Sequence, residues 1–169
     1  MRLSLWLIVM VGLLCGQDDR LAMARRANAN GEPEKAARIW EDLAGQGNGE
    51  AQCSLAMVYL NGRGVAKNFE EARRWFEIAA DRGYACAFSG LGYIYYVGKS
   101  VPLNTVEAFK WYTLASQAGS GSEMAAEVIS WQLTTAEIAE ARQLLKEWLS
   151  KHTIVYTPRT PERFRRGGR

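Results

Sequence analysis

Three cysteines, Cys15, Cys53 and Cys86, and a single histidine, His152, are the residues on which thiolate, imidazole or soft-metal chemistry would have to rest. They are too few for a zinc knuckle of the paired CxxC kind, and they exclude iron–sulfur clusters held by four cysteines. Hydrolytic catalysis needs a nucleophile held against a base, with an electrophile stabiliser nearby. His152 lies where the last helical stretch meets the tail, far from Cys53, Cys86 and the serines, and a histidine there serves the helix C-terminal end. Gly62-Arg63-Gly64 follows no strand and reads as a helix–helix turn, not as a phosphate-cradling loop. No catalytic residue, metal site or cofactor is expected. The chemistry left is pairing of Cys53 with Cys86, or two separate, partly buried thiols.

The elements that place these residues are helical and repeat. Shifting the chain by 36 residues pairs Ala51 with Ala87, Leu55 with Leu91, Tyr59 with Tyr95, Gly62 with Gly98, Ala72 with Ala108, Trp75 with Trp111 and Gly83 with Gly119. Apolar residues recur at three- and four-residue spacing within each half of the unit, so each unit reads as two helices. Gly62 and Gly98 sit where a first helix needs a left-handed terminator, and Gly47, Gly83 and Gly119 where a second helix does. Asn68 with Glu71, and Asn104 with Glu107, have the spacing of a capping box. An earlier unit keeps Ala36, Trp40 and Gly47 in register, with a shorter loop. Thr134 to Glu137 opens a last helix. Hairpins of this kind bury their apolar faces only against neighbours, so the fold expected is all-α, a right-handed α-solenoid.

The pattern A-x-x-x-L-[AG]-x-x-Y-x-x-G, followed by E-A-x-x-W-[FY]-x-x-A-[AS]-x-x-G, resembles the Sel-one-like repeat family, relatives of tetratricopeptide repeats. Ser100 departs from it, standing where the earlier loop has Gly64. The resemblance implies units at about 18–48, 49–84 and 85–120, with atypical capping helices over 121–151. It also implies that first helices line a concave face. On that face the tetratricopeptide pattern places Met57, Leu60 and Asn61 in one unit and Ser89, Tyr93, Tyr96 and Val97 in the next, a partly apolar surface suited to a protein partner. Leu60 and Met57 read equally well as core. Cys53 and Cys86 fall on first helices of adjacent units, toward the same open side, and can bridge if their Cα atoms come within about 7 Å. Trp75 and Trp111 read as packing, and Trp131 and Trp148 as closure of the apolar end.

The two ends of the chain read as address and tail. Residues 1–16, MRLSLWLIVMVGLLCG, put Arg2 before an apolar run and small residues after it, the pattern of a secretory signal cleaved near Gly16. Leu13-Leu14-Cys15 is also similar to a lipobox, which would anchor the chain through Cys15; the bulky Leu14 makes this the lesser reading. Residues 152–169 read as a flexible basic tail: Arg159, Arg163, Arg165, Arg166 and Arg169 stand against Glu162 alone. Membrane contact would come only through that tail or the lipid. With 21 Lys and Arg against 18 Asp and Glu, the whole chain is too evenly charged for a nucleic-acid binder. The expectation is a non-catalytic periplasmic protein-binding module; the family resemblance implies an immunity protein against a secreted toxin, an envelope adaptor in signalling or polysaccharide export, or, from another class, a β-lactam or cell-wall-peptide binding enzyme.

Overall fold

The computed structural model describes residues 3–152, with side chains from Gly16 onward. Among these residues there are eight helices and no strand: α1 (Leu3–Ala29), α2 (Pro33–Gly45), α3 (Gly49–Asn61), α4 (Phe69–Ala80), α5 (Ala85–Val97), α6 (Thr105–Gln117), α7 (Glu123–Ser130) and α8 (Thr135–Lys151). The basic tail beyond His152 lies outside the described residues. So do the side chains of most of the apolar leader; the buried face of α1 that is described starts at Leu21 and continues through Ala24 and Ala27. No described helix is long and apolar enough to cross a membrane.

Helices α1 and α2, α3 and α4, and α5 and α6 pack as hairpins, and each second helix also packs on the next first helix. This is the helical repeat solenoid that the 36-residue register implies. Ala51, Ala72, Ala87 and Ala108 are all fully buried, since close helix approach needs a small residue there, and Leu55 and Leu91 point inward as expected. Two large adjoining cores result, with a smaller cluster of Ala108, Ile129 and Leu133 between α6 and α7. One joins α1, α2 and α3 around Trp40, Leu43 and Leu55. The other joins α3 to α6 with α8 around Phe76, Phe88, Leu91 and Leu114.

The turns carry the expected backbone. Gly62 and Gly98 close the first helices at φ 71° and 63°, and Gly47, Gly83 and Gly119 follow the second helices at φ 86°, 82° and 73°. Ser100 adopts φ 66° where Gly64 has φ 78°, so the same left-handed loop is made with a residue that strains in it. Replacing Ser100 by glycine should raise stability by about 0.5–1 kcal/mol, the left-handed penalty less the entropy glycine costs. A urea melt checks this, and a loss of stability would contradict the assignment of strain.

The capping boxes expected at Asn68 and Asn104 form by half. Asn68 Oδ1 accepts from the Glu70 and Glu71 N–H groups at 3.0 and 3.1 Å, and Asn104 Oδ1 accepts from Glu107 N–H at 2.9 Å. The reciprocal bond is missing because the caps' own N–H groups already donate to the Tyr59 and Tyr95 carbonyls at 2.9 and 3.0 Å. Glu71 and Glu107 turn instead to Arg74 and Lys110, at 2.8 and 2.5 Å. Thr134 and Glu137 make the full box.

The C-terminal end differs most from a regular repeat. α8 does not fold back on α7 but packs on α6. Trp148 places its edge against Phe88 and Trp111, with ring centroids 5.5 and 5.4 Å away, so it does close the stack. His152 stacks on Trp148 at 4.1 Å, its Nδ1 lies 2.7 Å from the Trp148 carbonyl oxygen, and its Nε2 lies 3.3 Å from Asp81. Trp131, expected to share the closing role, is 74% exposed, because α8 leaves the face of α7 that carries it.

Candidate functional site

A groove of about 910 Å³ crosses the first helices of three units. Its walls include Asn28 of α1, Met57 and Asn61 of α3, Cys86 and Ser89 of α5, and Arg63 in the loop after α3. The repeat explains why these residues meet: every first helix presents the same side to the same space.

Cys53 and Cys86 are joined by a disulfide across this surface, with Cα atoms 6.2 Å apart. The register repeats the contact without the bond. Thirty-six residues on from Cys53 and Cys86 stand Ser89 and Ser122, whose Oγ atoms are 2.9 Å apart. Ser120 completes a hydroxyl triangle with them at 3.1 and 2.8 Å. These hydroxyls satisfy one another, and His152 is engaged by Trp148 and Asp81 rather than by a serine hydroxyl. Among the described residues no cluster of His, Cys, Asp and Glu could hold a metal ion.

The residues expected on the binding face divide. Met57, Asn61 and Ser89 line the groove. Tyr93 and Tyr96 are 42% and 38% exposed on α5 but stand outside it. They lie beside Tyr112, whose phenol burial pushes above its ordinary pKa, with the two neighbouring tyrosines adding to the effect. Val97 is half-buried. Leu60 is a correction: at 7% exposure it belongs to the core with Ala72 and Phe76. Its register equivalent, Tyr96, turns outward. The position borders core and surface, and a leucine there gains by burial what a tyrosine's hydroxyl would lose.

Groove residues at the starts of the first helices, Glu50 and Tyr84 among them, carry no signal in the repeat pattern. Tyr84 packs over Gly49, where a Cβ would lie 1.9 Å from the ring, so glycine is required there for the ring to cover the end of α3. Glu50 pairs with Arg25 of α1, whereas Arg63 has no acidic partner among the described residues. The lining thus offers amides, hydroxyls, a thioether, aromatic edges and the Arg63 guanidinium, a set able to hold a polypeptide.

Stacked helical hairpins with a first-helix groove define a tetratricopeptide-like α-solenoid, the architecture of a protein-interaction scaffold. The Sel1 repeat model matches residues 49–84 and 85–120, so these two units are Sel1 repeats. Its structure is similar to that of a protective antigen present in uropathogenic Escherichia coli strains displaying an SLR fold, with TM-score 0.75 and 26% identity over 80% of this chain and 30% of the other. It is also similar to a Sel1 repeat protein from Oxalobacter formigenes, with TM-score 0.60 and 31% identity over 66% of this chain and 46% of that one. The chain thus spans less than half the length of either. No curated protein matches it. Proteins of Sel1 repeats generally mediate protein–protein interaction and are typically non-catalytic.

Proposed function

We propose that the chain is an exported protein-binding module of the periplasm that holds a segment of another protein in the groove over α1, α3 and α5. The observation that carries this is the groove itself: its floor crosses three units and is stapled by Cys53–Cys86. A disulfide there and the signal-like leader both suit an oxidising compartment. Within this reading we place an immunity role, occlusion of a secreted toxin's active site, ahead of an envelope adaptor role, because one short groove suits one occluded site. Among the described residues no histidine stands beside the Ser89 cluster, so the binding reading is placed ahead of the enzyme one.

The test is affinity for a partner captured from the periplasm and then purified. Met57→Ala, Arg63→Ala and Tyr84→Ala, all in the groove lining, should each weaken binding by about 30-fold, the effect of losing about 2 kcal/mol at a hot spot. Arg38→Glu, exposed on α2, should leave it unchanged. Binding that vanishes with Arg38→Glu and survives all three groove-side changes would place the partner on the convex side and sink the proposal. Recovery of the chain, leader intact and thiols reduced, from the cytoplasmic fraction alone would sink the export reading.

A further inference from the structure

α7 leaves an apolar stripe bare. Met124, Val128 and Trp131 recur along one side of the helix and are 76%, 40% and 74% exposed, whereas Ile129 on the other side is 3% exposed and packs with Ala108 and Leu133. The register equivalents on α5 are Phe88, Gly92 and Tyr95, two buried and one half-buried. Phe88 is covered there by Trp111 of α6 and Trp148 of α8. On α7 no following helix supplies that cover, because α8 lies on α6. Contiguous exposed apolar side chains of this size mark a contact surface.

The rim of the stripe says what fits. Glu123 and Glu127 are both exposed beside it, and α7 carries no cation. Two copies meeting through this stripe would set carboxylates against carboxylates, which opposes self-pairing. The complement is a cationic segment with an apolar residue inside it, and the chain carries one: in residues 157–169, Phe164 sits between Arg163 and Arg165-Arg166, and Glu162 is the only acid. Its reach suffices. α8 has 17 residues and is about 25 Å long, so a chain leaving at His152 must return about that far to the α7 end. Residues 153–163 span up to about 36 Å when extended.

We propose that residues 157–169 dock on the α7 stripe of their own chain, with Phe164 against Met124 and Val128 and the flanking guanidinium groups on Glu123, Glu127 and the Trp131 ring. Each contact is weak alone, but tethering gives an effective concentration in the millimolar range, enough to populate them. The contact is salt-sensitive, and displacing the segment frees the end of the stack.

The reporter is Trp131, its emission isolated as the difference between the full chain and Trp131→Phe, with acrylamide as quencher. At low salt the indole should be protected. Charge reversal of the segment (Arg163→Glu, Arg165→Glu, Arg166→Glu) should raise its quenching constant at least twofold. Glu123→Lys with Glu127→Lys should do the same with the segment intact, and far-UV circular dichroism should show the helices unchanged in both. A synthetic peptide of residues 157–169, added to the charge-reversed chain, should restore protection. Equal quenching in all three chains would overturn the proposal. So would protection that ignores the substitutions and grows with protein concentration, the mark of a second copy on the stripe.

Discussion

Removing the Cys53–Cys86 bridge should lower stability by roughly 4 kcal/mol at 25 °C. The bond closes a loop of sequence separation 33, and chain-entropy cost grows with the logarithm of that length. Little else does its work. α3 and α5 touch only lightly, each held chiefly by the second helix between them, so the bridge is the direct tie between two neighbouring walls of the groove. For a chain of this size the loss corresponds to a fall in Tm of about 10 °C. Cys53→Ser with Cys86→Ser should show it by thermal melting, and dithiothreitol should shift the parent toward the variant while leaving the variant where it is. A parent whose Tm is indifferent to both treatments would mean that the thiols are not joined in solution.

Much of this arrangement could be read from residue spacing, because a repeat announces itself many times. Ala51 and Ala87, Leu55 and Leu91, and the terminating glycines each report the same local demand, and the demand is met within one hairpin and its neighbour. What could not be read was set by competition between distant groups. Leu60 and Tyr96 share a register position, yet one is core and the other surface, since side-chain size decides at a boundary that spacing alone leaves open. Trp148 and Trp131 looked alike as apolar ends. Their fates diverge because α8 chooses α6 over α7, a choice made by Leu145 and Trp148 finding Phe88 and Trp111, 34 to 60 residues away in the chain. The groove's helix-end residues escaped for a related reason: Tyr84 is positioned by the absence of a side chain at Gly49, a signal visible only once the two are brought together.

The same logic of a ring against a missing side chain gives the second large effect, at the centre of the stack. Phe76 of α4 is fully buried, and a Cβ at Gly90 of α5 would sit 2.4 Å from its ring. Phe76→Ala removes the ring from a packed core and should cost about 3–5 kcal/mol. Gly90→Ala alone should cost about 1–3 kcal/mol, because the ring has nowhere to move, even though alanine at a helix interior is otherwise worth about 1 kcal/mol over glycine. In the Phe76→Ala background the clash is gone and a cavity waits, so Gly90→Ala should there become stabilising, by about 1 kcal/mol. Urea melts of the four chains measure the reversal. An unchanged sign in the two backgrounds would mean that Gly90 is not where Phe76 meets α5, and the spacing of α4 and α5 that this contact sets, and with it the groove wall that α5 forms, would have to come from elsewhere.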